Sequence, residues 1–147
     1  MEMEQIEALE PGALFHWFAE VCKIPRGSFH EEKIADFLQK FAARRGLRCS
    51  RDDLHNVLIV APATPGRESD PPILFQGHTD MVCEKNADVA HDFETQGIVP
   101  IVEGDWIRAK GTTLGGDDGI AVAAMLALLD GACPVSYTHL DVYKRQE

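Results

Sequence analysis

Apolar positions recur at helical spacing in two early stretches of the chain. In residues 13–23, Leu14, Phe15, Phe18, Val21 and Cys22 fall on one face at the 3.6-residue period, and Pro25 follows the end. Residues 28–45 carry Ile34, Phe37, Leu38, Phe41 and Ala42 as a second stripe, with Gly46 placed to cap the C-terminus. Ser28 and Glu31 have the spacing of a capping box, whose side chains satisfy backbone donors at a helix start. The pattern then changes. Residues 47–51 and 56–61 read as two strands joined by a polar connection, and residues 62–72 hold four prolines in a surface loop. The run Ile73, Leu74, Phe75 predicts a buried strand, followed by a polar meander over 84–92. Residues 97–102 and 105–109 predict a hairpin across Glu103 and Gly104. Residues 120–129 are almost wholly apolar, too long for a typical strand, and predict a helix buried on nearly all sides. Helices alternating with strands indicate an α/β fold with a mixed sheet flanked by helices.

Composition narrows the field only modestly. A chain of 147 residues is one domain at most, and 45% hydrophobic with 26% charged residues is ordinary for a soluble globular protein. The net charge of −10 argues against nucleic acid and anionic membranes as partners. Four scattered cysteines without a C-x-x-C pair fit a reducing cytoplasm. The acidic N-terminus has no apolar core of a signal peptide, and no apolar run is long enough to span a membrane.

Candidate chemistry gathers in two places. His78 and Asp80 are one residue apart at the end of the predicted strand, so an extended backbone puts them on the same side. A metal-binding histidine uses such a carboxylate to hold its tautomer and ring orientation, although the same residues also occur in plain polar loops. The second place is the stretch from Gly111 to Gly119, where Gly115, Gly116 and Gly119 surround Asp117 and Asp118 at the start of the apolar helix. Glycines allow a tight turn that brings carboxylates close to a partner. A helix N-cap explains Asp118 at least as well as catalysis does, but one cap does not need two aspartates and three glycines. His16 and Trp17 read as packing or surface residues, His30 as solvated, and His55 as a turn residue despite its proximity to Asp53.

These motifs resemble a known family. The segments His78-Thr-Asp80-Met81 and Gly111-Thr-Thr-Leu-Gly-Gly-Asp117-Asp118-Gly119 are similar to those of the aminoacyl-histidine dipeptidases, also called cytosol non-specific dipeptidases. That group belongs with the co-catalytic zinc exopeptidases that include carboxypeptidase G, peptidase T and the aminoacylases. The likeness runs from Phe18 to about Cys133 and takes in Ile24-Pro-Arg26, Ser28-x-His-Glu31, the strand from Asn56, and His91-Asp-Phe93. Asp118 stands where many close relatives carry Asn. The resemblance implies the N-terminal part of a zinc-exopeptidase catalytic domain, without its lid domain. It further implies hydrolysis of small peptide substrates by water activated between two zinc ions, with manganese or cobalt as substitutes. His78 would ligate one zinc, Asp117 would bridge both, and Asp80 would orient His78. The general base, a Glu in a Glu-Glu pair, and the remaining ligands would lie beyond the chain's end. A homodimer of the full-length protein is compatible with the family.

The end of the chain departs from that picture. Residues 135–146 can be encoded by a DNA string that is its own reverse complement, offset by two bases. It resembles two back-to-back copies of a transposon end used to build sequencing libraries. The expectation is therefore native sequence over 1–134 and a foreign tail over 135–147. Two further readings stand beside the dipeptidase: a structural module whose Gly-Gly-Asp-Asp turn binds calcium or magnesium, and another amidohydrolase or aminoacylase of the same family. A histidine at the site favours zinc over calcium.

Overall fold

A computed structural model describes residues 2–132 and 138–143. Its elements run α1 (Glu2–Glu7), α2 (Gly12–Cys22), α3 (Glu32–Arg44), β1 (Arg48–Arg51), β2 (Val57–Ala61) and β3 (Ile73–His78). They continue with β4 (Pro100–Glu103), β5 (Trp106–Ala109), α4 (Gly116–Ala127), a π-helical turn (Leu128–Ala132) and β6 (Thr138–Tyr143). The expected α/β fold with a mixed sheet is present. The main sheet has the order β1-β2-β6-β3; β2 is antiparallel to both neighbours and β3 is parallel to β6. β4 and β5 form a separate hairpin.

Helical periodicity translated into burial for most of the expected positions. Leu14, Phe15 and Phe37 are only half-buried, and Ile120, at the start of the segment expected to be buried on nearly all sides, is exposed. Trp17, Phe18, Ala19, Val21 and Cys22 of α2 are buried, and α2 packs along α4, where Val122, Ala123, Met125 and Leu126 are buried in turn. Apolar faces meeting in this way remove apolar area from water, the main favourable contribution to the fold. Helix α3 covers β1 and β2 through Ile34, Leu38 and Phe41. It ends as its glycine predicts: Gly46 has φ +65°, and Leu47 N–H reaches back to Ala42 O at 3.0 Å.

Four local expectations need correction. No helix was expected at the acidic N-terminus, yet α1 forms there and its Ile6 is fully buried. The run at the start of β3 is not buried: Ile73 is 44% and Leu74 61% exposed. Ile73 and Leu74 point to opposite faces of the strand, so neither face is fully covered at its start. The hairpin turns one residue later than expected, on Gly104 and Asp105, because Glu103 pairs with Trp106 and Gly104 supplies the positive φ of +60°.

The fourth correction concerns the capping box. Helix α3 starts at Glu32 and is preceded by Glu31, with no side-chain cap. Glu31 does accept a backbone N–H, that of Phe29 at 2.8 Å, but the Ser28 hydroxyl is turned away to another partner. Of the tail expected to be foreign, Thr138–Tyr143 lies between β2 and β3, and residues 135–137 and 144–147 fall outside the described residues.

Candidate metal centre

β3 ends at His78, and the chain after it stays close to the segment around residues 26 and 27. Gly27 bridges to Met81 in parallel, and Met81 N–H donates to Arg26 O at 3.0 Å. On the other side the start of α4 presses against the strand. A Cβ at Gly77 would lie 2.6 Å from Asp118 Oδ2 and 2.8 Å from Met125 Cε, so only glycine lets α4 approach this closely.

The three residues singled out from sequence meet here. His78 Nδ1 is 3.0 Å from Asp80 Oδ1 and 3.1 Å from the Asp80 carbonyl oxygen. His78 Nε2 is 3.0 Å from Asp117 Oδ1, across 39 residues of sequence. Asp118 touches the site differently, accepting a long contact of 3.4 Å from the His78 backbone N–H. Neither aspartate caps α4. The position before the helix is Gly115, with φ +68°, and both Asp117 and Asp118 have non-helical backbone angles across a cis peptide bond. The turn carries the Asp117 carboxylate out toward His78, leaving its side chain 93% exposed.

This arrangement has a direct electrostatic consequence. Both imidazole nitrogens face carboxylate oxygens, whereas a neutral ring has a proton on only one of them. Burial works against charging the ring and is the largest single influence on it. The hydrogen bond to Asp117, together with the charge and hydrogen bonds of Asp80, outweighs it, so the pKa is raised. With Nδ1–H donating to Asp80, Nε2 of a neutral ring presents a lone pair to the Asp117 carboxylate, a place that a proton or a metal ion would suit.

The donor chemistry fits zinc: an imidazole nitrogen whose opposite N–H is held by a carboxylate, and an accessible carboxylate oxygen. A tetrahedral zinc with ligand bonds of about 2.0–2.2 Å spaces its donor atoms roughly 3.4 Å apart, so the present contact would open by a few tenths of an ångström. The set is partial. Among the described residues no group of three or more His, Cys, Asp or Glu side chains is disposed to hold a metal ion.

Two further residues belong to this neighbourhood, and the sequence reading assigned neither a role in it. Ser28 Oγ donates to Asp80 Oδ2 at 2.6 Å. Arg26, 2% exposed, donates from Nη1 to Thr79 O at 3.0 Å and from Nη2 to Gly115 O at 2.6 Å. Burial lowers the Arg26 pKa, opposed by the nearby Cys22, Asp80 and Cys83. No local pattern announces either contact, since the partners are dozens of residues away.

Comparison with known proteins places this geometry in context. No family model matches the chain. A cytosol non-specific dipeptidase of Escherichia coli is 43% identical over 127 residues, which is 86% of this chain and 26% of that protein. A solved aminoacylhistidine dipeptidase from Vibrio alginolyticus superposes with a TM-score of 0.92 at 39% identity, covering 97% of this chain and 29% of that one. A tripeptidase from Staphylococcus aureus shares the fold at a TM-score of 0.68 and 22% identity, over 88% of this chain and 35% of that one. The chain thus spans little more than a quarter of the length of the dipeptidases it matches.

Proposed function

We propose, for a chain that over its matched stretch belongs to the family of the cytosol non-specific and aminoacylhistidine dipeptidases, a part in the metal-dependent hydrolysis of dipeptides. The observation that carries this reading is the imidazole of His78 held between two carboxylates, with Nε2 turned to Asp117. His78 Nε2 and Asp117 would hold zinc, with Asp117 shared between two ions, and manganese or cobalt would substitute. When bound, zinc lowers the pKa of a coordinated water toward 7 and polarises a carbonyl.

The chain's own residues do the rest. Asp80 accepts the Nδ1 proton, fixes the tautomer that leaves Nε2 free to bind, and raises the ring's basicity. Ser28 holds Asp80 from its other oxygen. The Gly115 turn sets Asp117 at the mouth of the site, where a small peptide can reach it. Further donors and a general base would come from the portion of the relatives' length that this chain does not match. Residues 135–147 are a foreign tail on this reading, and the protein works in the cytoplasm, as its relative's name implies for that protein. The imidazole argues against a structural calcium or magnesium site, since both prefer all-oxygen sets.

The test is a zinc titration of the chain, followed through the ring resonances of His78. Saturable shifts that weaken in Asp117→Ala support the reading. Unchanged His78 resonances at millimolar zinc would sink it.

A further inference from the structure

Arg26 is a buried cation with no carboxylate among its hydrogen-bond acceptors in the described residues. A guanidinium taken from water to the interior costs several kcal/mol unless its donors are satisfied. Here Nη1 and Nη2 bond two main-chain carbonyls, and Nε has no hydrogen-bond partner among the described residues. An apolar side chain there would leave Thr79 O and Gly115 O without this donor, so a cost in stability accompanies any further role. What distinguishes the position is which carbonyls it joins. Thr79 O lies between His78 and Asp80, and Gly115 O lies two residues before Asp117. One rigid planar group therefore spans the two loops that carry the whole candidate site.

The surroundings are built closely around it. A Cβ at Gly115 would lie 2.5 Å from Nη2, and one at Gly119 would lie 2.6 Å from it. The main chain of Arg26 is tied to Met81, so the side chain cannot drift relative to residues 79–81. Guanidinium geometry fixes the separation of its two terminal nitrogens, which a flexible ammonium does not. Asp80 adds charge attraction without a direct hydrogen bond.

We propose that Arg26 is a positioning residue that sets the distance between His78 and Asp117. It touches neither side chain and acts through the backbone of the two loops. The inference rests on the reading of His78 and Asp117 as metal donors.

The experiment is a double-mutant cycle on zinc affinity, read from the His78 ring resonances of the folded chain. Arg26→Met should weaken zinc binding by about tenfold or more, in the range found when groups supporting metal ligands are removed. In an Asp117→Ala background the same substitution should cause no further loss, because there is no second donor left to place. Equal loss in both backgrounds would reduce Arg26 to a general stabiliser and overturn the proposal, as would a folded Arg26→Met chain with the parent's affinity. Should Arg26→Met fail to fold, Gly119→Ala decides: it keeps the guanidinium but pushes Nη2, and parental affinity there would overturn the proposal. A parent chain that binds no zinc at His78 overturns the underlying reading and the inference with it, whereas normal parental binding isolates the inference.

Discussion

The Ser28 hydroxyl donates to Asp80 Oδ2 at 2.6 Å, so a residue 52 positions upstream holds the carboxylate whose other oxygen faces His78. This contact replaces the helix cap that the local sequence predicts, and the two roles have different consequences. Loss of a true N-cap costs about 1 kcal/mol of stability. Ser28→Ala is expected to change stability by no more than about 0.5 kcal/mol, as for an exposed residue outside the core. Its zinc affinity should nevertheless fall, because Asp80 is free to turn. Denaturant melts and a zinc titration of the same sample separate the outcomes.

Asp80→Asn keeps the shape of the side chain but removes the charge that orients the imidazole. Zinc affinity should drop by about 10–100-fold with the fold intact by circular dichroism. An unchanged affinity would remove Asp80 from the site.

The raised pKa of His78 has a definite sign in the metal-free chain. A group that binds its proton more tightly when folded adds stability that is complete below its unfolded value, about 6.5. That contribution is lost as pH rises through the higher folded value. Urea midpoints of the metal-free chain should therefore fall as pH is raised across this window, with a smaller fall in Asp80→Asn. Bound zinc must displace a proton, so its affinity should rise over the same range.

Gly77→Ala tests the approach of α4 to β3. The added methyl would meet Asp118 Oδ2 at 2.6 Å and Met125 Cε at 2.8 Å. Overpacking of this kind costs about 1–3 kcal/mol, which a thermal melt resolves. Wild-type stability would mean that α4 can move aside freely.

The chain as it stands should not turn over a dipeptide with a C-terminal histidine when zinc or manganese is supplied. The described residues bring two donors together, whereas a catalytic zinc takes about three protein ligands and a water. On the proposed reading the general base belongs to the portion of the relatives' length that this chain does not match, and such a group contributes about 10²–10⁴ in rate. Turnover at a rate comparable with that of intact dipeptidases would show the catalytic set to be complete here.

Local pattern by itself determined helices α2, α3 and α4, strands β1 to β5 in outline and the two chemical stretches, but neither α1 nor β6. Apolar spacing at the 3.6-residue period is a property of ten to fifteen neighbouring residues, and α2, α3 and α4 formed where it occurs. The His78–Asp80 pairing was equally legible, because alternation along an extended backbone is local. What only the tertiary structure decided was everything that joins distant residues. The meeting of His78 with Asp117, the turning of Ser28 from cap to partner of Asp80, and the Arg26 span all bridge dozens of residues. The exposure of Ile73 and Leu74 is likewise decided by which elements pack on the two faces of β3, since these neighbours point to opposite sides. Sequence periodicity reports which face of an element is apolar, and only packing establishes what comes to cover it.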